Sequence, residues 1–194
     1  SGSWDHTLKL WDISNGCCVR TLQGHNAEVN AVFLSSDGCY ALSGSQDKTL
    51  KLWELESGKC LRTFQGHTSY VQSVCLSPDM RFALSGGWDK TLKLWEVASG
   101  RCLYTFMGHT GYVESVSFSV DGCLVLSGSR DKTLKVWEVD ITWRPTAAPF
   151  NVSRPKSSWE IVSDLEVYTH ALSKAGMHFQ LGQAVEAARH LRKA

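Results

Sequence analysis

Three sets of potentially reactive side chains, each made of a histidine, a serine and an aspartate, recur along the chain. They are His25, Ser43 and Asp47; His67, Ser85 and Asp89; and His109, Ser127 and Asp131. These residue types form the hydrolase triad, in which histidine deprotonates the serine nucleophile and aspartate orients the histidine. An enzyme needs one such site, with an oxyanion hole and a substrate pocket, and three copies at one period serve no such purpose. The pattern therefore favours a structural role over a catalytic one.

The elements that position these residues follow a strict repeat of 42 residues. Gly-His pairs occur at 24–25, 66–67 and 108–109. The repeated aspartates are Asp5, Asp47, Asp89 and Asp131, and the repeated tryptophans are Trp11, Trp53, Trp95 and Trp137. A fixed period of about 40–45 residues with Gly-His and Trp-Asp-like signatures is typical of propeller blades with four strands each.

The segments between these marks predict short antiparallel strands. In one unit they are "YVQSVCLS" (70–77), "RFALSGG" (81–87), "TLKLWEV" (91–97) and "RCLYTFMG" (101–108). The intervening "SPDM" and "ASG" are turn sequences, and Asp89 closes the tight turn between the second and third strands. Strands of this length with frequent turn signals indicate antiparallel meanders.

Residues 1–140 resemble the WD-repeat family, because Gly-His, Ser-Gly-x-x-Asp and a tryptophan recur in register. The motif ends in Asp only at Asp12, and the later copies have Glu54, Glu96 and Glu138. The resemblance implies a mainly β fold built from four-stranded antiparallel blades of a β-propeller. It also implies that each histidine, serine and aspartate set joins a tryptophan indole N–H in a buried hydrogen-bond chain, with Trp53, Trp95 and Trp137 as donors. A buried indole N–H needs an acceptor, and a serine hydroxyl can supply it.

One position varies between copies that are otherwise nearly identical. The residue before the turn aspartate is Trp4, Gln46, Trp88 and Arg130 in successive copies. In the WD-repeat family this position lies on the rim of the central channel, on the face used for partners. Two positions near the start of the inner strand point the same way, and here they hold Glu28, Asn30, Tyr70, Gln72, Tyr112 and Glu114.

The resemblance therefore implies a partner-binding rim. Trp, Tyr and Arg dominate the hot spots of protein interfaces, which favours a protein or peptide as the partner. Glu28 and Glu114 add a possible selectivity for a basic ligand. The alternative is that Trp88 only packs on a neighbouring blade.

The ends of the repeat region predict an incomplete ring. Aligning Ser1 with Ser43 places the start of the chain at the end of a second strand, and the last unit has three strands, ending near residue 140. We expect three to four blades, the first and last incomplete, from the C-terminal part of a larger propeller. The remaining blades of an N-terminal part would then be partners, and a homodimer that closes one ring is the alternative.

A different pattern follows the repeats. Residues 141–157 form a predicted linker with three of the four prolines of the chain. Residues 158–194 are predicted as a helical hairpin, because Ile161, Leu165, Tyr168 and Leu172 make a helical stripe. The spacing of small residues in "GQAVEAARHLRKA" (182–194) is similar to the second half of a tetratricopeptide repeat, and a plain helical hairpin is the alternative.

Composition narrows the class of function. A net charge of +1 gives no general attraction to nucleic acid or to anionic membranes, and no apolar run is long enough to cross a bilayer. Seven cysteines without a C-x-x-C pair predict neither a metal site nor a disulfide framework. We expect Cys18, Cys60 and Cys102 to be small buried residues in a reducing, intracellular and cytoplasmic setting.

Two function classes follow from these observations. The first is a non-catalytic protein-interaction scaffold without a cofactor, and the second is a regulatory propeller segment of a larger enzyme with an upstream catalytic domain. The scaffold is favoured, because the sequence supplies no accessible nucleophile, phosphate loop or metal site.

Overall fold

The computed structural model describes residues 1–139, which form thirteen β-strands. The strands are β1 (Thr7–Trp11), β2 (Cys18–Gln23), β3 (Val29–Leu34), β4 (Tyr40–Ser45), β5 (Thr49–Glu54), β6 (Cys60–Gln65), β7 (Val71–Leu76), β8 (Phe82–Gly87), β9 (Leu92–Glu96), β10 (Cys102–Phe106), β11 (Val113–Phe118), β12 (Leu124–Ser129) and β13 (Leu134–Glu138). Each strand pairs antiparallel with its neighbour in sequence within four sheets. We call the sheets blade 1 (β1–β2), blade 2 (β3–β6), blade 3 (β7–β10) and blade 4 (β11–β13). The predicted mainly β architecture with four-stranded antiparallel sheets is confirmed.

The turn between the second and third strands of a blade is set by its aspartate. In blade 2, Asp47 Oδ1 accepts hydrogen bonds from the Thr49 backbone N–H at 3.0 Å and from the Thr49 hydroxyl at 2.6 Å. The residue between them, Lys48, has a φ of +69°, in the left-handed region. The aspartate side chain stabilises this tight turn. The residue just before the aspartate therefore lies at the same end of the blade in every copy.

The hydrophobic core lies between successive blades. Val71 and Val74 of β7 pack against the Cα of Gly44, where a Cβ would lie 2.6 Å from Val71 Cγ1 and 2.8 Å from Val74 Cγ1. Gly86 has the same relation to Val113 and Val116, at 2.6 and 2.8 Å. This contact needs glycine on one blade and β-branched side chains three residues apart on the next, and it fixes the spacing between blades.

The outer blades hold fewer strands than the inner two. In residues 1–139 blade 1 has two strands and an isolated bridge between Gly2 and Leu8, and blade 4 has three strands. The side chain of Trp11 is 45% exposed, whereas the equivalent Trp53 is 1% exposed. The predicted linker (141–157) and the predicted helical tail (158–194), with its tetratricopeptide-like spacing, lie outside the described residues. Within residues 1–139 the structure contains no helix that is long and apolar enough to cross a membrane.

The expectation that the repeated cysteines are buried is wrong. Cys18, Cys60 and Cys102 are exposed. Each is the first residue of the outermost strand of its blade, and no further strand covers that edge. Cys75, on the innermost strand of blade 3, is buried instead, and its burial raises the pKa of its thiol to about 12.

Candidate functional site

The histidine, serine and aspartate of blade 3 form a hydrogen-bond chain with its tryptophan. Trp95 Nε1 donates to Ser85 Oγ at 2.9 Å, and Ser85 Oγ lies 2.7 Å from His67 Nε2. His67 Nδ1 lies 2.7 Å from Asp89 Oδ2. Since Ser85 Oγ accepts from the indole, its own proton is free to point to His67 Nε2, and His67 Nδ1–H donates to Asp89. The chain thereby links the second and third strands of the blade to the Gly-His segment before the first strand.

Blades 2 and 4 repeat this chain with nearly the same geometry. The corresponding side chains are Trp53, Ser43, His25 and Asp47 in blade 2, and Trp137, Ser127, His109 and Asp131 in blade 4. Blade 1 contains a related bond that the sequence interpretation missed, from Trp11 Nε1 to Ser1 Oγ at 3.0 Å. The signal was present, because Ser1 and Trp11 stand 42 residues before Ser43 and Trp53.

Burial and hydrogen bonding act in opposite directions on the pKa values in these chains. Burial is the largest single influence on Asp89 and raises its pKa, but the bonds from His67, Thr91 and the Thr68 backbone together outweigh it. The pKa of Asp89 therefore stays well below its ordinary value, and Asp47 and Asp131 behave in the same way. Burial lowers the pKa of His109, against the opposing effect of Asp131.

The geometry of these chains does not suit catalysis at the serine. Ser43, Ser85 and Ser127 are fully buried, and each hydroxyl oxygen is already held between an indole and an imidazole. A nucleophile must reach the substrate, and within residues 1–139 these three serines have no exposed surface. The chains hold the strands of a blade together.

The rim positions of each blade lie side by side. The backbone N–H of Gln46 donates to the Glu28 carbonyl at 2.9 Å. The pairs Trp88 with Tyr70 and Arg130 with Tyr112 make the same bond at the same distance. The residue before the turn aspartate and the residue before the innermost strand are therefore neighbours at one end of every described blade that has an innermost strand.

In blade 2 the rim side chains are bonded to one another. Gln46 Nε2 donates to Glu28 Oε2 and lies 3.4 Å from Asn30 Oδ1. Asn30 Nδ2 donates to the backbone carbonyl of Val71 in blade 3 at 3.1 Å. The polar side chains on the rim of blade 2 therefore form hydrogen bonds with one another and with the backbone of blade 3.

The rim of blades 3 and 4 is built differently, as a set of contacts that we call the aromatic–arginine cluster (Tyr70, Trp88, Tyr112, Glu114 and Arg130). The rings of Trp88 and Tyr112 are stacked, with centroids 4.9 Å apart and planes 6° apart. The ring of Tyr70 is tilted by 43° to that of Trp88, with centroids 5.2 Å apart. The Arg130 guanidinium carbon is 5.6 Å from the centroid of Trp88 and 5.7 Å from that of Tyr112, and its Nε donates to Glu114 Oε1 at 2.6 Å.

The sequence analysis included packing of Trp88 on a neighbouring blade as the alternative, but it did not show which residue Trp88 meets or the state of its indole N–H. The stack joins blade 3 to blade 4, because Trp88 belongs to one and Tyr112 to the other. In addition, Trp88 Nε1 is buried and has no hydrogen-bond partner within residues 1–139. Of the other predicted rim residues, Gln72 is partly buried and Trp4 is 79% exposed, and in the described part of the chain no hydrogen bond or ring contact connects either to the cluster.

No group of three or more His, Cys, Asp or Glu side chains in residues 1–139 is arranged to hold a metal ion.

Comparison with known protein families identifies the repeat. The repeat family described as "WD domain, G-beta repeat" (WD40) matches residues 16–54, 58–96 and 100–138. The chain belongs to the WD40 family. WD40 domains in general are non-catalytic scaffolds for protein interactions.

Individual relatives match over about one repeat. The chain is similar to "Nuclear distribution protein PAC1" of Arthroderma otae, with 56% identity over 43 residues, which is 22% of this chain and 9% of the relative. It is similar to "Small ribosomal subunit protein RACK1y" of Oryza sativa subsp. japonica, with 52% identity over 44 residues, 22% of this chain and 13% of the relative. A WD repeat-containing protein of Schizosaccharomyces pombe is 46% identical over 43 residues, 22% of this chain and 12% of the relative. The matched segment thus spans about a tenth of the length of these relatives.

Proposed function

We propose that this WD40 chain is a non-catalytic scaffold that binds a protein or peptide at the rim of blades 3 and 4. The observation that carries the proposal is the aromatic–arginine cluster. Trp88 and Arg130 occupy equivalent repeat positions and differ in type, as do Gln72 and Glu114, whereas Tyr70 and Tyr112 are the same and the frame around them is nearly constant. The constant frame therefore does not dictate the types that differ. The stack of Trp88 on Tyr112 contributes to packing between two blades, and a partner would account for the exposed part of the cluster, including the Arg130 side chain.

The composition of the cluster suits a protein interface. Trp, Tyr and Arg are the residue types that most often contribute a large share of binding energy at interfaces. Stacked aromatic rings are rigid, so they offer contact area at a small cost in conformational entropy.

The non-catalytic part of the proposal rests on the buried serines. Every repeated serine that stands beside a histidine is inaccessible and engaged on both sides. The absence of a general excess of positive charge supports a protein partner over nucleic acid or a membrane surface.

The cysteines support a reducing, intracellular setting. Six of the seven are exposed, and all seven are free thiols. Exposed thiols persist where the compartment keeps them reduced.

We also infer that at least one further blade packs on blade 4. Gly44 and Gly86 each receive a pair of valines from the next blade, but at Gly128 a Cβ would meet only Leu134 Cδ2, at 3.3 Å. The glycine that accepts a neighbouring blade is therefore present in blade 4 without valines against it in the described residues. A blade with β-branched residues three apart on its innermost strand fits this position.

Replacement of Trp88 tests the binding proposal. A peptide selected from a random library on the full chain supplies the probe, and its affinity is measured for wild type, Trp88→Ala and the control Leu61→Ala. Leu61 is an exposed apolar side chain on β6, away from the cluster. We expect Trp88→Ala to weaken binding by about 2 kcal/mol or more, and Leu61→Ala to leave it unchanged.

The stability of the same variants separates binding from packing. The stack contributes about 0.5–1.5 kcal/mol beyond the apolar area that it buries, so Trp88→Ala should lower the unfolding free energy moderately and leave the protein folded. If the thermal midpoint of Trp88→Ala collapses while its affinity for the peptide holds, Trp88 is a packing residue between blades and the proposed site is wrong.

A further inference from the structure

We propose that the partner presents an anionic group, a carboxylate or a phosphate on a peptide, which pairs with the terminal nitrogens of Arg130. The inference rests on the proposed function above and names the chemistry of the group that this rim recognises. It departs from the sequence-based expectation of a basic ligand, for reasons that lie in the contacts of the two rim glutamates.

Arg130 is held in a fixed orientation with its terminal nitrogens free. Its Nε donates to Glu114 Oε1 at 2.6 Å, and its guanidinium lies against the rings of Trp88 and Tyr112. The side chain is nevertheless 59% exposed, and within residues 1–139 neither terminal nitrogen donates a hydrogen bond. Because Nε is held and the two terminal nitrogens have no partner in the described residues, the guanidinium can donate two parallel hydrogen bonds to an oxyanion.

Two other arginines, on the outermost strands of blades 1 and 2, show the contrast. Arg20 and Arg62 each use Nη1 to donate to a backbone carbonyl in the next blade, at 3.3 and 3.0 Å. Their terminal groups therefore serve to join blades. Arg130 has no such bond in the described part of the chain, so its terminal donors remain available to a ligand.

The carboxylates at the rim are already engaged. Glu28 accepts from Gln46, and Glu114 accepts from Arg130. A basic ligand would share these carboxylates with donors of the protein, and the ring faces that attract cations already carry the Arg130 guanidinium. The position beside the Trp88 and Tyr112 rings that would suit a cationic ligand is therefore occupied by Arg130.

Glu114 neutralises the charge of Arg130 in an ion pair, and two nearby lysines carry positive charge of their own. Lys90 and Lys132 follow Trp88 and Arg130 by two residues and are exposed in the same turns. Within residues 1–139 neither ammonium group has a hydrogen-bond or ion-pair partner. The turn aspartates Asp89 and Asp131 offset this charge, but their carboxylates are bonded to His67 and His109. The exposed charges without a partner in these turns are therefore the two ammonium groups, which favour an anion near Arg130.

Three labelled peptides of equal length test the inference on the full chain. They share a leucine, which can pack on the aromatic rings, and differ in the adjacent residue, which is glutamate, phosphoserine or lysine. Affinities are measured by fluorescence anisotropy for wild type, Arg130→Gln, Arg130→Lys, Trp88→Ala and Arg101→Gln. Arg101 is an exposed arginine in the turn before β10, at the opposite end of the blade, and serves as the matched control.

We expect the glutamate or phosphoserine peptide to bind wild type at least about tenfold more tightly than the lysine peptide. Arg130→Gln should remove that preference, Arg130→Lys should restore only part of it because lysine lacks the planar fork, and Arg101→Gln should leave it intact. A stronger effect with phosphoserine assigns the anion to a phosphate, and a stronger effect with glutamate assigns it to a carboxylate. Circular dichroism melts establish that each variant is folded.

The contrary results separate this inference from the proposed function. Preferential binding of the lysine peptide, lost in Trp88→Ala, overturns the anionic group and leaves the rim as the binding site. Preference for an anionic peptide that survives Arg130→Gln overturns the role of Arg130. Failure of both anionic peptides to bind overturns the inference, and a library-selected peptide whose binding depends on Trp88 would still support the rim.

Discussion

A single serine hydroxyl in each of blades 2, 3 and 4 serves two buried nitrogen atoms. Ser85 Oγ accepts from the Trp95 indole and faces His67 Nε2, and the same arrangement recurs at Ser43 and Ser127. Removal of this one oxygen leaves two buried polar groups without partners. The cost of an unsatisfied buried group exceeds the net value of the bond itself, so the serine matters more than one hydrogen bond suggests.

We expect Ser85→Ala to lower the free energy of unfolding by about 2 kcal/mol or more, because two groups at about 1–3 kcal/mol each lose their partner. Ser36→Ala is the matched control, since Ser36 is exposed in the turn between β3 and β4. Urea denaturation followed by tryptophan fluorescence gives both values. Equal midpoints for the two variants would contradict the assignment of the network.

The aspartates make the stability depend on pH. The pKa of Asp89 is lowered in the folded protein, so its charged form contributes stability that is present above the unfolded pKa of about 4. That contribution is lost as the pH falls through this value toward the lower folded pKa. The lowered pKa of His109 acts in the same direction, because neutral His109 favours the fold above a pH of about 6.5.

We therefore expect the free energy of unfolding to decrease as the pH falls below about 4, and to decrease less steeply in Asp89→Asn. Urea titrations at a series of pH values measure the two slopes. A variant that loses stability with acid as steeply as wild type would show that another group controls the transition.

At the scale of elements, the repeat predicted the strands well. The segments 81–87 and 91–97 correspond to β8 (Phe82–Gly87) and β9 (Leu92–Glu96), because turn residues and alternating apolar side chains mark the same limits. The burial of Cys60 was predicted wrongly, since alternation along an outermost strand does not reveal that its edge is uncovered. The sequence analysis allowed Trp88 to pack on a neighbouring blade, but it could not predict the stack on Tyr112, because that contact depends on how closely two blades approach.

The outermost strands carry a second contact between blades. Arg62 Nη1 on β6 donates to the carbonyl of Ser99 in the turn before β10, and the turn residue Gly100 lies against the arginine stem. A Cβ on Gly100 would lie 2.8 Å from Arg62 Cδ. Gly16 occupies the same place in blade 1 with a similar φ, +70° against +77°, but nothing lies within 4 Å of its Cβ position.

We expect Gly100→Ala to destabilise the protein more than Gly16→Ala, by about 1 kcal/mol or more. Both variants place alanine in the left-handed region, which costs about 1–2 kcal/mol, but only the first also displaces Arg62. The double variant Arg62→Ala with Gly100→Ala should remove the excess, as a double-mutant cycle in chemical denaturation would measure. Equal costs at the two glycines would exclude an energetic role for the arginine contact.

Across the whole molecule, the same glycine-to-valine contact joins one blade to the next. Gly44 receives Val71 and Val74, and Gly86 receives Val113. Gly128 continues the series at blade 4, but in the described residues only Leu134 approaches its Cβ position. This contact is therefore made within residues 1–139 at Gly44 and Gly86, and also at Gly2, whose Cβ position lies 2.7 Å from Val29 Cγ1, whereas at Gly128 it is available to another blade.

We expect Gly86→Ala and Gly128→Ala to differ sharply in this chain. A methyl group on Gly86 would lie 2.6 Å from Val113 Cγ1 and force blades 3 and 4 apart, at a cost of about 1–3 kcal/mol or more. On Gly128 it would meet Leu134 Cδ2 at 3.3 Å, which a small movement of the side chain relieves, so we expect a change within about 0.5 kcal/mol. Thermal and urea denaturation of the two variants measure the difference.

The comparison also tests whether a further blade packs on blade 4. In a longer form of the protein that contains such a blade, valines would fill the space beside Gly128, and Gly128→Ala should become as costly as Gly86→Ala. Because the two glycines are equivalent in the repeat, Gly86→Ala is the internal reference in both forms. If Gly128→Ala stays neutral in the longer form while Gly86→Ala remains costly, no blade packs at this position and the inferred continuation of the array is wrong.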